Sequence, residues 1–340
     1  MKGLWWKVLA TVLLLYVVIV GLRTPLHPAI VHTTPDRIAP GEVTLSIQGY
    51  NTRFSVTGTN AWIENGGQSV CATSLRAEGD DRLVAVFNIP SGWKNNLSDL
   101  VVGNDVDGAI TRYGALYTDG TGSGITGTPC TTGYHMGGGG FRFPNRDILN
   151  ESIRNLFFHV PMWFTMVVLM SIGVWKSIRV LRTNNLEDDR AASVAVRVGL
   201  VFGALGLITG SLWARVTWET WWTSDPKLNG AAAGVLIYLA YLVLRGSVPE
   251  PTKRARLAAI YSIFAFSFML LFFFVLPRLN DSLHPGNGGN PAFGQYDLDN
   301  RLRTVFYPAC LGWILFGVWM YDLRSRVLRL QNRLSDANDQ

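Results

Sequence analysis

Six apolar runs, each about as long as a bilayer core is thick, constrain this chain more than any other feature of its sequence. At 1.5 Å per residue, a helix of about 20 residues crosses a hydrocarbon core of about 30 Å. The runs therefore predict six transmembrane helices, of which the fourth is short and borrows interfacial residues. The six runs are Leu4–Leu22, Leu156–Trp175, Val196–Leu212, Gly230–Leu244, Leu257–Leu276 and Thr304–Tyr321.

The first run follows Lys2 and contains Lys7, a pattern that fits a signal peptide as well as a membrane span. A cleaved signal peptide needs spaced small residues after its apolar core, and Val18–Arg23 does not provide them. We therefore predict an uncleaved first helix. In either case, the residues that follow it are exported.

Positive charges predict the direction of the helices. Lys and Arg gather in short segments beside the apolar runs, which indicates membrane orientation and not nucleic-acid binding, despite a net charge of +6. By the positive-inside rule, three basic segments and both termini are cytoplasmic in a bacterial inner membrane. These segments contain Lys176, Arg179, Arg182 and Arg190; Arg245, Lys253, Arg254 and Arg256; and Arg324, Arg326, Arg329 and Arg333.

A polar region between the first two runs has a different character. Val43–Tyr50 and Leu83–Ile89 alternate apolar and polar residues, and the turn signals Asn65–Gly67 and Glu78–Asp81 interrupt the apolar runs. We predict an exported antiparallel β-sandwich or barrel over residues 34–143, ending in a flexible joint at Gly137–Gly140. Cys71 and Cys130 both lie in this domain, where they form a disulfide or are two small buried apolar residues.

A tryptophan-rich loop lies between the third and fourth runs, on the outer side. It contains Trp213, Trp218, Trp221 and Trp222, followed by Asp225 and Lys227. Trp also anchors helices at membrane surfaces, but anchoring uses one or two rings per helix end. We interpret the loop as a platform for a large flat aromatic ligand. Asp225 either pairs with Lys227 or caps the next helix.

Two histidines are predicted at the same outer edge. His159 begins the second span, and His284 follows the fifth. Two imidazoles beside a tryptophan platform suggest axial ligation of a haem iron. The haem propionates need cations, for which we select Arg154 and Lys227 from a wider set that also includes Arg215, Arg278, Arg301 and Arg303.

These residues resemble a known family. His159-Val160-Pro161, the loop ending Trp221-Trp222-Thr223-Ser224-Asp225-Pro226-Lys227, and His284 before the last span are similar to the motifs of the CcmC and CcsA proteins, the WWD-domain haem-handling proteins of cytochrome c maturation. The resemblance covers the first span and residues 153–326. Ala214 and Glu219 stand where the family usually has Gly, Ser224 replaces a Trp, and Lys227 replaces an Arg.

The resemblance implies a function and partners. His159 and His284 would be axial ligands of haem b, which is held as cargo at the outer face and passed to a periplasmic CcmE-like chaperone. A small CcmD-like subunit and the ATP-driven CcmA/CcmB transporter would attend it, and membrane lipid would surround it. The implied protein presents haem and is not an enzyme.

Two alternatives to this function stay open. One is a CcsA-type synthase that joins haem to an apocytochrome, and the other is a receptor that acts through its β-domain. The predicted organisation is a first helix with a linker (1–33), the β-domain (34–143), a five-helix membrane domain (144–323) that includes the tryptophan-rich loop (213–228), and a cytoplasmic tail (324–340).

Overall fold

The computed structural model describes residues 3–65, 67–93, 97–118, 130, 140–146, 149–284, 294 and 298–338. The chain forms two compact units. One unit consists of Met1–Arg23 and Ser152–Gln340, and the other consists of Thr24–Glu151. The flexible joint predicted at Gly137–Gly140 lies, except for Gly140, outside the described residues.

The larger unit is helical. A 3₁₀ turn at Asn150–Asn155 leads into α2, and a π-helical turn at Leu271–Val275 joins α5 to α6. In the described chain, six helical segments are long and apolar enough to cross a membrane, when α5 and α6 are taken as one. The predicted polytopic helical fold is therefore confirmed. The helices are α1 (Trp5–Arg23), α2 (Leu156–Thr183), α3 (Leu186–Thr217), α4 (Pro226–Ser247), α5 (Pro251–Leu270), α6 (Leu276–Leu279) and α7 (Asn300–Asn338).

The helices begin and end where local chemistry satisfies their terminal backbone groups. Asn184 ends α2 in the left-handed conformation (φ 52°), and the Asn185 side chain accepts a hydrogen bond from the Glu187 N–H at the start of α3. Asp225 caps α4 in the same way, with Pro226 at the first helical position. The fourth span therefore begins before the predicted apolar run and is 22 residues long, not short.

The core of this unit lies where α2, α3, α4 and α5 meet. Met166, Leu169 and Met170 of α2 are fully buried there, with Tyr238 of α4 and Met269 of α5. The first helix packs against the last, and the Lys7 ammonium lies 3.4 Å from the Asp322 carboxylate near one end of this pair. Inside a membrane, water does not drive helices together. Their association depends on close packing of side chains, as in this core.

The smaller unit is an eight-stranded sheet in the order β1-β3-β6-β5-β4-β7-β8-β2. All neighbours are antiparallel except β2 and β8. The predicted strands correspond to β3 and β6, which pair with each other from Gly41↔Ile89 to Gln48↔Arg82. The strands are β1 (Ala29–Thr34), β2 (Arg37–Ile38), β3 (Gly41–Tyr50), β4 (Asn60–Asn65), β5 (Gln68–Ala77), β6 (Arg82–Ile89), β7 (Leu97–Asn104) and β8 (Gly108–Thr118).

This sheet curls around a single core. Leu45, Phe87, Leu100 and Leu116, which come from four different strands, are all fully buried in one cluster. The first strand also reaches β8, because the Thr33 hydroxyl donates to the Ala115 carbonyl at 3.3 Å. The inserted β-domain is confirmed. Of its two predicted forms, sandwich and barrel, the single curled sheet corresponds to the barrel.

Cys71 and Cys130 are disulfide-bonded, with their Cα atoms 5.8 Å apart. The bond closes a loop with a sequence separation of 59 residues. A crosslink across a loop of this length restricts the unfolded chain and typically stabilises the fold by about 2–4 kcal/mol. Of the two predicted states of these cysteines, the structure therefore has the disulfide.

Candidate functional site

A cavity of about 290 Å³ opens among α2, α3, α4 and the segment from the π turn to His284. Both predicted histidines, His159 and His284, line it. Most of its wall is apolar or aromatic, which is typical of a site for a largely apolar ligand. The described lining residues are His159, Val160, Trp163, Phe164, Val167, Gly206, Leu207, Gly210, Ser211, Trp222, Lys227, Leu228, Ala231, Phe273, Phe274, Pro277, Arg278 and His284.

His159 is held inside the helix bundle by α3. Its Nδ1 atom lies 3.1 Å from the Thr209 hydroxyl oxygen. That hydroxyl donates its only hydrogen to the Leu205 carbonyl at 2.8 Å. Its oxygen also lies 3.2 Å from the Gly206 carbonyl. It therefore accepts at the histidine, and Nδ1 is the protonated nitrogen. The Nε2 atom of His159 then carries the lone pair.

Glycines on α3 make room for the aromatic rings of α2. A Cβ atom at Gly210 would lie 2.7 Å from His159 Cε1, and one at Gly206 would lie 2.7 Å from the Trp163 indole. These two glycines are four residues apart and so share one helix face. The His159 and Trp163 rings meet edge to face, with centroids 6.2 Å apart. The position of His159 therefore depends on the absence of side chains on α3.

His284 is held by Asp225, whose side chain is 1% exposed. One oxygen, Oδ1, accepts the Lys227 and Leu228 N–H groups of α4 and lies 3.2 Å from His284 Nδ1. The other, Oδ2, accepts the Ser282 hydroxyl at 2.8 Å and the Leu283 N–H at 2.7 Å. Because an ionised carboxylate only accepts, His284 donates through Nδ1, and its Nε2 also carries the lone pair.

The pKa values of this pair follow from its surroundings. Burial raises the pKa of Asp225, but hydrogen bonds from Ser282, Leu283 and Lys227 and the charge of His284 outweigh that effect and hold the pKa below its ordinary value. Burial lowers the pKa of His284; Asp225 opposes this shift without cancelling it, and Lys227 adds to it. Asp225 is therefore ionised and His284 is neutral at pH 7, the state in which imidazole binds a metal.

The four tryptophans of the loop have three different positions. Trp213 and Trp218 pack against His284, with centroids at 5.7 and 4.9 Å from the imidazole, and lie 5.2 Å from each other. Among the described residues, the cavity wall includes Trp222 but not Trp213, Trp218 or Trp221. Trp221 is 56% exposed. The loop therefore supports His284 with two of its rings and presents one ring to the cavity.

The departures from the family pattern have a structural setting. Glu219 has a left-handed backbone (φ 58°), the conformation that glycine adopts without strain. Its carbonyl accepts a hydrogen bond from the Arg215 guanidinium. Ala214 is fully buried and accepts the Trp218 N–H at 2.8 Å at the end of α3. The backbone of this chain therefore turns here with a side chain at a position whose conformation glycine adopts most easily.

The predicted cations are in different places. Lys227 lines the cavity, as does Arg278, which belongs to the wider set. Arg154 is not among the described lining residues; its guanidinium donates to the Gly21 carbonyl of α1 at 2.7 Å. A carbonyl near the C-terminus of a helix is a favourable acceptor for a cation.

Several residues of the site were not predicted from the sequence. Trp163 and Phe273 meet edge to face across the cavity wall, with centroids 5.2 Å apart. Thr209 lies on α3, an element that the sequence pattern alone does not pair with His159. Ser282 lies two residues before His284, but its hydrogen bond to Asp225 joins two segments that the sequence does not pair.

Comparison with known proteins identifies the family of this chain. The family model described as heme exporter protein C matches residues 131–338. The chain belongs to that family. The match includes His159, the tryptophan-rich loop and His284, whereas the strands of the β-domain, which end at Thr118, lie before it.

Individual curated relatives match part of this chain. The chain is 29% identical to the heme exporter protein C of Paracoccus denitrificans over 205 residues, which cover 58% of this chain and 81% of the relative. It is 25% identical to the protein of that name from Escherichia coli K12 over 199 residues, covering 57% and 75%. A cytochrome c biogenesis protein CcsA of Prochlorococcus marinus subsp. pastoris is 36% identical over 105 residues, covering 28% and 33%.

Proposed function

We propose that this protein binds haem b in the cavity, with His159 and His284 as axial ligands, and passes it to another protein for cytochrome c biogenesis. One observation carries the proposal. Two histidines on different elements line one cavity, and each has its Nδ1 engaged by a protein acceptor, so each keeps an Nε2 lone pair. This arrangement is typical of metal-binding histidines, whose second nitrogen donates to a carboxylate or other oxygen.

The rest of the cavity fits the proposed ligand. Apolar and aromatic side chains, including Trp163, Phe273 and Trp222, suit the macrocycle, which is flat and largely apolar. Lys227 and Arg278 line the same cavity and would neutralise the propionates. Haem supplies an iron that takes imidazole nitrogen at its two axial positions. The chain's own part is to hold the imidazoles, neutral and oriented, on an apolar surface.

Haem is a cargo in this proposal, and the protein is not an enzyme. The proposed setting is a bacterial inner membrane with both termini in the cytoplasm. The cavity and the β-domain are then on the periplasmic side, because the basic segments lie at the opposite ends of the membrane helices. The proposed recipient is a CcmE-like chaperone. A CcmD-like subunit and a CcmA/CcmB transporter are the proposed further partners. The name heme exporter protein C of the relatives supports a role in haem export.

Two alternatives give different outcomes. A synthase would form thioether bonds to an apocytochrome without a chaperone, as the match to a CcsA protein over 28% of this chain permits. A receptor acting through the β-domain would lose its activity when Thr34–Phe143 is deleted and keep it when both histidines are replaced. The synthase alternative is tested by adding an apocytochrome with a Cys-x-x-Cys-His segment to the haem-loaded protein. Covalent haem transfer would identify a synthase.

The deciding experiment is an absorption spectrum of the purified full-length protein. We expect the low-spin spectrum of haem with two histidine ligands, and extraction by acidic acetone because the haem is not covalently bound. His159→Ala and His284→Ala should each abolish the low-spin spectrum. His32→Ala is the matched control, because this histidine lies in the β-domain, on β1. A protein that takes up no haem in native lipid, or two unchanged histidine variants, would refute the proposal.

A further inference from the structure

The last turns of α7 carry an apolar stripe that is exposed to solvent. Leu323, Val327, Leu330 and Leu334 are 49%, 37%, 59% and 66% exposed. Their spacing of four, three and four residues places them on one helix face, at the alternating d and a positions of a heptad pattern. In the part of the chain that the structure describes, nothing covers this stripe. We refer to these four residues as the α7 stripe.

The opposite face of α7 already has a partner. Ser325, Leu328 and Asn332 line a polar cleft together with Lys176 of α2 and Asp188 of α3. The cleft has a volume of about 240 Å³, and its ion pair, Lys176 with Asp188, is 2.8 Å long. This face of the helix therefore points toward α2 and α3 within the unit, and the α7 stripe is on the other face.

The hydrocarbon core of the membrane does not explain the stripe. Asp322, which precedes it, lies 3.0 Å from Arg326 and 3.4 Å from Lys7, so a charged layer begins at this level. The helix is continuous to Asn338. At 1.5 Å per residue, Leu330 and Leu334 lie about 12 and 18 Å further along the axis than Asp322. The stripe therefore extends into the aqueous phase.

Charges beside the stripe indicate what covers it. Arg324, Arg326 and Arg333 occupy e and g positions of the same heptads, and all three are exposed. We propose that the α7 stripe docks an acidic amphipathic helix of another protein. Leucines of that helix would pack against the stripe, and its Asp and Glu residues would pair with the arginines. A second copy of this chain would instead bring arginines of both chains to one seam, where like charges oppose association. This proposal does not depend on haem binding.

The experiment uses the full-length protein in lipid nanodiscs and two designed helices. Both helices carry Leu at a and d; one carries Glu and the other Lys at e and g. We expect the Glu helix to bind at least about tenfold more tightly at low ionic strength, with a difference that shrinks as salt screens the charges. Leu330→Asp with Leu334→Asp should abolish binding. Arg326→Glu with Arg333→Glu should reverse the preference.

A photo-crosslinking residue at position 330 then identifies the natural occupant in membranes, with position 332 on the opposite face as the matched control. An adduct at 330, and not at 332, with an acidic heptad segment of another protein supports the proposal. An adduct with a second copy of this chain or with lipid overturns it, as does equal binding, or no binding, of the two designed helices. The haem spectrum of each variant reports separately on folding and on the proposed function.

Discussion

The two histidine sites of the cavity are constructed differently. His159 lies on a membrane helix, against Gly210, and its partner is the neutral hydroxyl of Thr209. His284 lies on a segment after α6, and its partner is the buried carboxylate of Asp225, which also holds Ser282 and Leu283. One imidazole is positioned by helix packing and the other by a hydrogen-bond network.

This difference has a consequence for ligand strength. A hydrogen bond to a charged group contributes about 1.5–3 kcal/mol, against about 0.5–1.5 kcal/mol for a neutral one. A carboxylate partner also raises the basicity of the imidazole that donates to it. We therefore expect His284 to be the stronger ligand and His159 to be the one that dissociates first when haem is passed on.

The largest effect is expected from Asp225→Asn. Asn caps a helix as well as Asp does, so α4 should be retained. However, one of the two carboxylate oxygens becomes an NH₂ group. This donor then faces another donor, either the Leu283 N–H or the N–H groups of α4, and that hydrogen bond is lost. We expect haem affinity to fall by about 10–100-fold, as for other losses of the partner of a metal-bound histidine.

Glu250→Gln is the matched control for that variant, because Glu250 caps α5 before a proline in the same way but lies far along the chain from either histidine. Haem titration of the two variants gives the comparison. Equal affinities in Asp225→Asn and the parent protein would mean that Asp225 only caps α4.

Gly210→Ala should have the next largest effect and should act on His159 alone. The new Cβ atom would lie 2.7 Å from Cε1 of His159, so the ring must move. Overpacking of this kind costs about 1–3 kcal/mol. Gly246→Ala is the matched control, since a Cβ atom there meets nothing within 4 Å. Electron paramagnetic resonance of the ferric protein should show altered low-spin g values only for the first variant.

Thr209→Val should have a smaller effect than Asp225→Asn. The variant removes a neutral hydrogen-bond partner of His159, with an expected loss of about 0.5–1.5 kcal/mol in haem binding. Thr183→Val is the control, because that hydroxyl also bonds to the carbonyl four residues earlier on its helix and is remote from the cavity. A loss as large as that of Asp225→Asn would contradict the ranking of the two ligands.

The smallest effect is the pH dependence of the haem-free protein. The pKa of His284 is lowered in the fold, so below its ordinary value of about 6.5 the unfolded chain binds a proton that the folded chain does not. The contribution of His284 to stability is therefore complete above about pH 6.5 and falls as the pH falls. Asp225, whose pKa is also lowered, adds a further loss below about pH 4. Thermal unfolding of His284→Ala in detergent should show a weaker pH dependence in the upper part of this range.

Much of the site could be predicted from the sequence because its signals are local. Apolar runs predict helices, and histidines at the ends of such runs predict a ligand site at one edge. The pairing of His159 with Thr209 could not be predicted, because it depends on the packing register of α2 against α3. The same limit applies to Trp213 and Trp218, which pack behind His284, although their position in the loop gave them the same expected role as Trp222.

The π turn at Leu271–Val275 places one extra residue in a membrane helix. Each residue rotates an α-helix by about 100°, so everything after the turn faces a different direction from the one that a regular helix would give it. Phe273 and Phe274 within the turn, and Pro277 and Arg278 after it, all face the cavity. Deleting a single residue there would restore an ordinary helix and turn Arg278 away from the cavity, without replacing either histidine.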